Sequence, residues 1–123
     1  MNFAIVFLGA GLGGALRHRV NHWALRYASV GFPVGTLAIN ALGSLVMGLV
    51  VGWLAARGEA SATLRLFLTT GVLGGFTTFS SFSLEAYTLL RTQQWLAALL
   101  YVAGSLLLGL LALAVGIVLA RRL

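Results

Sequence analysis

Apolar residues run along this chain in four long blocks, separated by short clusters of arginine, glycine and polar residues. A helix needs about 20 largely apolar residues to cross roughly 30 Å of hydrocarbon, and four such helices fill nearly the whole chain. The first is expected over about Phe3 to Tyr27. Its uninterrupted part, Phe3 to Leu16, stops at Arg17, His18 and Arg19, so arginine either lies in the span or snorkels out of it. The second starts near Pro33, which suits a first helical turn, and runs to Ala56, ahead of Arg57, Gly58 and Glu59. The third covers about Thr63 to Leu90. The fourth runs from Trp95 to Ala120, closed by Arg121 and Arg122, with Trp95 and Tyr101 at or near its other end as interfacial anchors. A secretory signal in place of the first span would want a basic start, and Met-Asn-Phe offers none.

The third block differs from the rest, because Gly74-Gly75 is followed by Thr77, Thr78, Ser80, Ser81 and Ser83 near its middle. Glycine and hydroxyl residues weaken helix continuity, and non-helical backbone at membrane depth is tolerated only where it is buried in protein or lines a wet cavity. A break near residues 74–80 is therefore predicted, and it is a functional signal in itself. The fold class is all-α integral membrane: one transmembrane domain over residues 1–123, with four helices and the third broken.

Composition removes several function classes. With 60% hydrophobic and 8% charged residues, the chain lacks the polar surface a soluble domain needs. The net charge of +6 comes from arginines set between apolar runs, a layout that suits a bilayer better than nucleic acid. Cysteine and aspartate are absent and the only acids are Glu59 and Glu85, so paired carboxylates and thiolate sites are unavailable and an enzyme is disfavoured. Counting arginines across four spans puts Arg57, Arg65, Arg121 and Arg122 on one side and Arg17, Arg19, Arg26 and Arg91 on the other. Four face four. Without a bias to choose a direction, the chain is expected to insert both ways up and pair as an antiparallel, dual-topology homodimer.

Small residues recur one turn apart: Gly9 and Gly13, then Ser44, Gly48 and Gly52, then Ser105, Gly109, Ala112 and Gly116. They permit close helix approach and support association. Gly9, Gly11 and Gly14 fit a dinucleotide fingerprint, but the chain has neither the later acid nor the sheet that the fingerprint serves. His18 and His22 stand four apart with nothing to complete a metal site.

Thr36, Asn40 and Ser44 make a hydrogen-bonding stripe at i, i+4 and i+8, with Asn40 near the bilayer's middle. An intramembrane asparagine either bonds another helix or offers its two N–H donors to an anion that has shed water. The densest signal is Gly74-Gly75-Phe76-Thr77-Thr78-Phe79-Ser80-Ser81-Phe82-Ser83. A broken helix frees carbonyls at one half-helix end and N–H groups at the other. Hydroxyls can replace an ion's water. Phe79 and Phe82, at i and i+3, can turn their electropositive ring edges to an anion.

On these residues the chain resembles the Fluc family of fluoride channels, also called CrcB, over essentially its whole length. The stretches that carry the resemblance are Gly13-Gly14-Ala15-Leu16-Arg17, Gly35-Thr36-Leu37-Ala38-Ile39-Asn40 with Gly43, and Gly71 to Ser83. The resemblance implies an antiparallel dual-topology homodimer in the bacterial plasma or inner membrane. It also implies passive export of fluoride from the cytoplasm along two pathways, and a structural sodium ion at the dimer centre. By motif, Asn40, Phe79, Ser80, Ser81, Phe82, Tyr101 and Ser105 match pathway positions, and Arg17 matches a vestibule arginine that enriches anions. Gly74 and Thr77 match positions whose main-chain carbonyls hold the sodium. Two departures stand out: Ser81 replaces a frequent threonine, and Gly109 stands where relatives can carry a serine, which interrupts the hydroxyl track of the fourth helix. Glu85 matches a family acid that either bonds nearby hydroxyls or snorkels outward. Two rivals lie outside this family. A small multidrug exporter would need a buried acid in its first helix, which is missing here; a non-conducting assembly subunit would leave the hydroxyl and phenylalanine cluster without a purpose.

Overall fold

A computed structural model describes residues 2–27, 31–58 and 61–123, and within these every regular element is helical. Helix α1 is Asn2–Tyr27 and α2 is Val34–Arg57. The third span starts with α3 (Ala62–Leu66), widens into a π-helix at Phe67–Leu73 and returns to α geometry in α4 (Gly74–Phe76). After two extended residues it resumes as α5 (Phe79–Arg91), and α6 (Trp95–Arg121) follows. The sequence expectation of an interruption near 74–80 thus resolves to Thr77 and Thr78, and the π segment ahead of it was not foreseen. Glu59, placed by sequence in the polar run after α2, lies outside the described residues.

Local chemistry sets the ends. Pro33 sits one residue before α2 and fixes the entry, while Gly58 closes it in the left-handed region at φ 68°, its N–H donating to the Leu54 carbonyl. Ser61 caps α3 by accepting from the Leu64 N–H at 3.1 Å. After α5, Gln93 takes the left-handed conformation at φ 62° while the amides of Gln93 and Gln94 return to the carbonyls of Leu90 and Leu89. That pair of bonds is a Schellman turn, and it reverses the chain into α6 within three residues.

The tightest packing is made by glycine. A Cβ on Gly48 would run into the Leu113 carbonyl of α6, and one on Gly116 into the Leu45 carbonyl of α2, so the two backbones lie in direct contact. On the other side α1 lies against the π segment and α4: a Cβ on Gly9 would sit 2.9 Å from the Gly71 Cα, one on Gly13 would meet the Val72 carbonyl, and one on Gly75 would meet that of Ala10. The small-residue stripes, read from sequence as support for association, are therefore largely consumed inside one chain. A modest side-chain cluster of Ala86, Leu89, Ala98 and Tyr101 completes the core.

Helices α2 and α6 are each long and apolar enough to cross a membrane unaided. Helix α1 is diluted by its arginines and histidines, and the third span is divided, so these two complete the bundle through packing. Leu99, Leu106, Leu107, Leu110 and Leu111 of α6 all stand exposed, an apolar surface that suits lipid.

Candidate functional site

The site is built around the interruption. Thr77 (φ −78°, ψ 160°) and Thr78 (φ −149°, ψ 118°) are extended, so their peptide groups point sideways. An extended residue inside a membrane must have its N–H and C=O satisfied, and Asn40 of α2 does both for Thr78. The Thr78 N–H donates to Asn40 Oδ1 at 2.8 Å, and Asn40 Nδ2 donates to the Thr78 carbonyl at 3.0 Å. One side-chain amide thus does the work of a neighbouring strand. Thr78 then caps α5, its hydroxyl accepting from the Ser81 N–H at 3.2 Å. Gly43, one turn beyond Asn40, makes room for the break: a Cβ there would strike the Thr77 methyl and lie 3.4 Å from the Phe76 ring.

These bonds have a price at the carbonyls. In an unbroken helix the amides of Thr78 and Ser81 would donate to the carbonyls of Gly74 and Thr77, but here both donate to side chains. The Gly74 and Thr77 carbonyls thereby lose those helical amides, and Arg17 Nη1 donates to the Thr77 carbonyl at 3.3 Å. Such oxygens fit a hard cation of the sodium type, for which unwound backbone is a known kind of site. Two from one chain fall short of a full coordination shell.

Beside the break lies a groove of ≈ 260 Å³. Asn40, Ser44, Phe79, Phe82, Ser105 and Gly109 line it, joined by Val102 and Leu106. The Phe79 and Phe82 rings are 5.7 Å apart and tilted at 42°, and Phe82 rests on Tyr101 at 5.1 Å. Phe79 is 78% exposed on the single chain, whereas Tyr101 is fully buried with its hydroxyl on Glu85. Tyr101 is therefore not the interfacial anchor that its place in the sequence suggests; of Trp95 and Tyr101, Trp95 alone stands exposed. The hydroxyl of Ser105 is buried with no hydrogen-bond partner among the described residues. A buried hydroxyl normally finds a partner, so this one is a donor held in reserve.

A separate pocket of ≈ 190 Å³ adjoins the break at Thr78 and gathers Arg17, His18, Asn21, Thr36, Ser81 and Glu85. Glu85 bonds hydroxyls rather than snorkelling: Thr36 donates to Oε1 at 2.7 Å and Tyr101 to Oε2 at 3.1 Å. The sequence-derived site residues therefore divide. Asn40, Phe79, Phe82 and Ser105 share the groove; Arg17 and Ser81 share the polar pocket; Gly74 and Thr77 sit at the break; Tyr101 links groove and pocket from behind. Ser80 is exposed, with its hydroxyl 3.5 Å from that of Thr78. Asn21, which no sequence pattern marks, joins the polar pocket, while Thr78 and Ser44 enter the site from the hydroxyl cluster and the α2 stripe without a pathway position of their own by motif. The stripe Thr36, Asn40, Ser44 was the signal for two of these contacts, since its three members meet Glu85, Thr78 and the groove in turn.

Asn40→Ala tests the clamp. It strands both polar groups of Thr78, at about 1–3 kcal/mol for each unsatisfied group. The expected result is a loss of about 2 kcal/mol in unfolding free energy in detergent, with exchange of the Thr78 amide accelerated by about 30-fold. Unchanged exchange would show that the clamp does not hold the break.

A family model described as CrcB-like protein, Camphor Resistance (CrcB), matches residues 4–117 of the chain. Among curated relatives, a protein of Methylobacterium nodulans named fluoride-specific ion channel FluC is 52% identical over 122 residues, covering 99% of this chain and 98% of its own length. A protein of the same name from Hyphomonas neptunium is 53% identical over 122 residues, covering 98% and 96%. From Nitrobacter hamburgensis, fluoride-specific ion channel FluC 2 is 48% identical over 123 residues, covering 100% and 99%.

Proposed function

Because this chain belongs to the CrcB family, we propose that it is a fluoride-selective membrane channel, not an enzyme, and that it lets fluoride leave the cytoplasm passively. The observation that carries the reading is the unpartnered Ser105 hydroxyl in a groove shared with Asn40, Phe79 and Phe82. Fluoride is small, strongly hydrated and accepts hydrogen bonds only, so a path for it must replace water with donors. Ser105 supplies one. Asn40 supplies the second N–H of its amide, the first being committed to Thr78. The ring edges of Phe79 and Phe82 add electropositive hydrogens that favour an anion without binding it tightly, which conduction requires. Ser80 and Ser81 extend the hydroxyl supply at the start of α5, and Tyr101 braces Phe82 while keeping the Glu85 carboxylate bonded away from the groove. Arg17 draws anions towards the pocket it lines with Ser81.

The working unit is an antiparallel, dual-topology homodimer in the bacterial plasma or inner membrane. The balanced arginines support it, and so do the exposure of Phe79 and of Gly74, both positioned for a second copy to cover. The carbonyls of Gly74 and Thr77 would hold a structural sodium ion, with the remaining oxygens coming from the second copy. When bound, the ion supplies a fixed positive charge at the break. The Arg17 guanidinium on Thr77 opposes that charge, so the arginine has to share the carbonyl's lone pairs. The decisive experiment is efflux from liposomes loaded with fluoride and followed by electrode, with chloride-loaded controls. Fast efflux of fluoride but not chloride is expected; none from well-folded protein would overturn the reading.

A further inference from the structure

Several hydroxyl side chains in these helices satisfy themselves within their own helix. Thr69, Thr77, Ser83, Thr88 and Thr92 each donate to the carbonyl four residues earlier. Ser44 and Ser105 make no such bond among the described residues, and both line the groove. Ser44 also lines a second cavity, of ≈ 370 Å³, on the side of the break where Gly43 and Thr77 lie, and Asn40 and Phe79 border both spaces with it. It therefore stands at the partition between groove and break. Facing it across the groove is Gly109 of α6, where an added Cβ would lie 3.6 Å from Ser44 Oγ and within 4 Å of nothing else. The helices do not need that glycine for packing, in contrast to Gly48 and Gly116 on the same interface. What it leaves is open space in front of a free hydroxyl.

We propose that Ser44 is a fluoride-coordinating residue of the pathway, and that Gly109 is the gap that lets the ion reach its hydroxyl. The proposal rests on the channel reading and adds a ligand to it. The ion then passes from the Ser105 hydroxyl to that of Ser44 past the free N–H of Asn40, so α2 carries on the donor line at the level where α6 has no side chain. Losing one hydrogen bond to a charged partner should slow passage about tenfold.

The test uses the full chain in liposomes. Ser44→Ala is expected to lower fluoride efflux about tenfold, with Ser44→Thr keeping most of it. Gly109→Ala, which meets no backbone, is expected to lower efflux by at least as much in protein that remains folded. The chain has no cysteine, so Ser44→Cys offers a unique thiol whose labelling by a small methanethiosulfonate reagent should be at least threefold slower in fluoride than in chloride. Conduction by the parent with Ser44→Ala unchanged and labelling indifferent to fluoride would overturn the role of Ser44 alone. Absence of efflux from the parent itself would overturn the channel reading beneath it.

Discussion

Phe82→Ile is expected to cut fluoride efflux at least tenfold while leaving the protein folded. Isoleucine keeps much of the apolar bulk that packs beside Ala86 and Tyr101, so the small core cluster survives. What disappears is the ring: its centroid lies 5.7 Å from that of Phe79 and 5.1 Å from that of Tyr101, and it carries the electropositive hydrogens of a groove-lining aromatic. Aromatic contacts of this kind are worth about 0.5–1.5 kcal/mol each, and about 1.4 kcal/mol added to the barrier is already a tenfold loss of rate. An aliphatic side chain offers an anion no such edge. Electrode-followed efflux, read beside a gel-filtration profile, separates the two effects. Undiminished efflux from a monodisperse variant would remove Phe82 from the pathway.

Gly13→Val is expected to abolish folded protein altogether. The Cβ it introduces is driven into the Val72 carbonyl and lies 2.8 Å from the Phe76 N–H. Both are backbone atoms that cannot rotate away. Relief would require α1 to move off the π segment and α4, undoing the seats of Gly9 and Gly75 as well. Overpacking typically costs 1–3 kcal/mol and more where nothing can yield; about 3 kcal/mol or more is expected here. Gly11→Ala is the control, since a Cβ at Gly11 meets nothing within 4 Å and alanine favours a helix by up to about 1 kcal/mol. The yield of monodisperse protein and its thermal unfolding in detergent check both. A stable Gly13→Val would mean that α1 does not lie where it is described.

Much of this architecture is legible in the sequence because hydrophobic length is a local property. The run from Trp95 to Ala120 reads as a span without any knowledge of its neighbours, and the double glycine with its hydroxyl residues announces a weak point in the third span. The exact place of the weakness is another matter. It falls at Thr77 and Thr78 because Asn40, 38 positions earlier, takes up the Thr78 peptide, and no local pattern encodes such a distant partner. The same holds for Glu85, whose two hydroxyl partners come from α2 and α6. Periodicity also fails over Phe67–Leu73, where the chain abandons the 3.6-residue repeat that sequence spacing presumes. The candidate site was legible mainly through the motif. Geometry adds the division into groove, pocket and break, and the separation of hydroxyls bonded to their own helix from those left free.

The π segment also decides where the break is aimed. A π turn fits an extra residue into the winding of a helix, so everything beyond Leu73 is rotated relative to what precedes Phe67. Helix α3 and the break thus have independent headings about one axis, and the pitch fault between them works as a fixed coupling that sets the angle. Removing one residue from it would swing Thr77 and Phe79 by about 100°, away from Asn40, with every residue at the break still in place. The compass bearing of the site is written upstream of the site, in a stretch, Phe67–Leu73, that contributes none of the groove's own side chains.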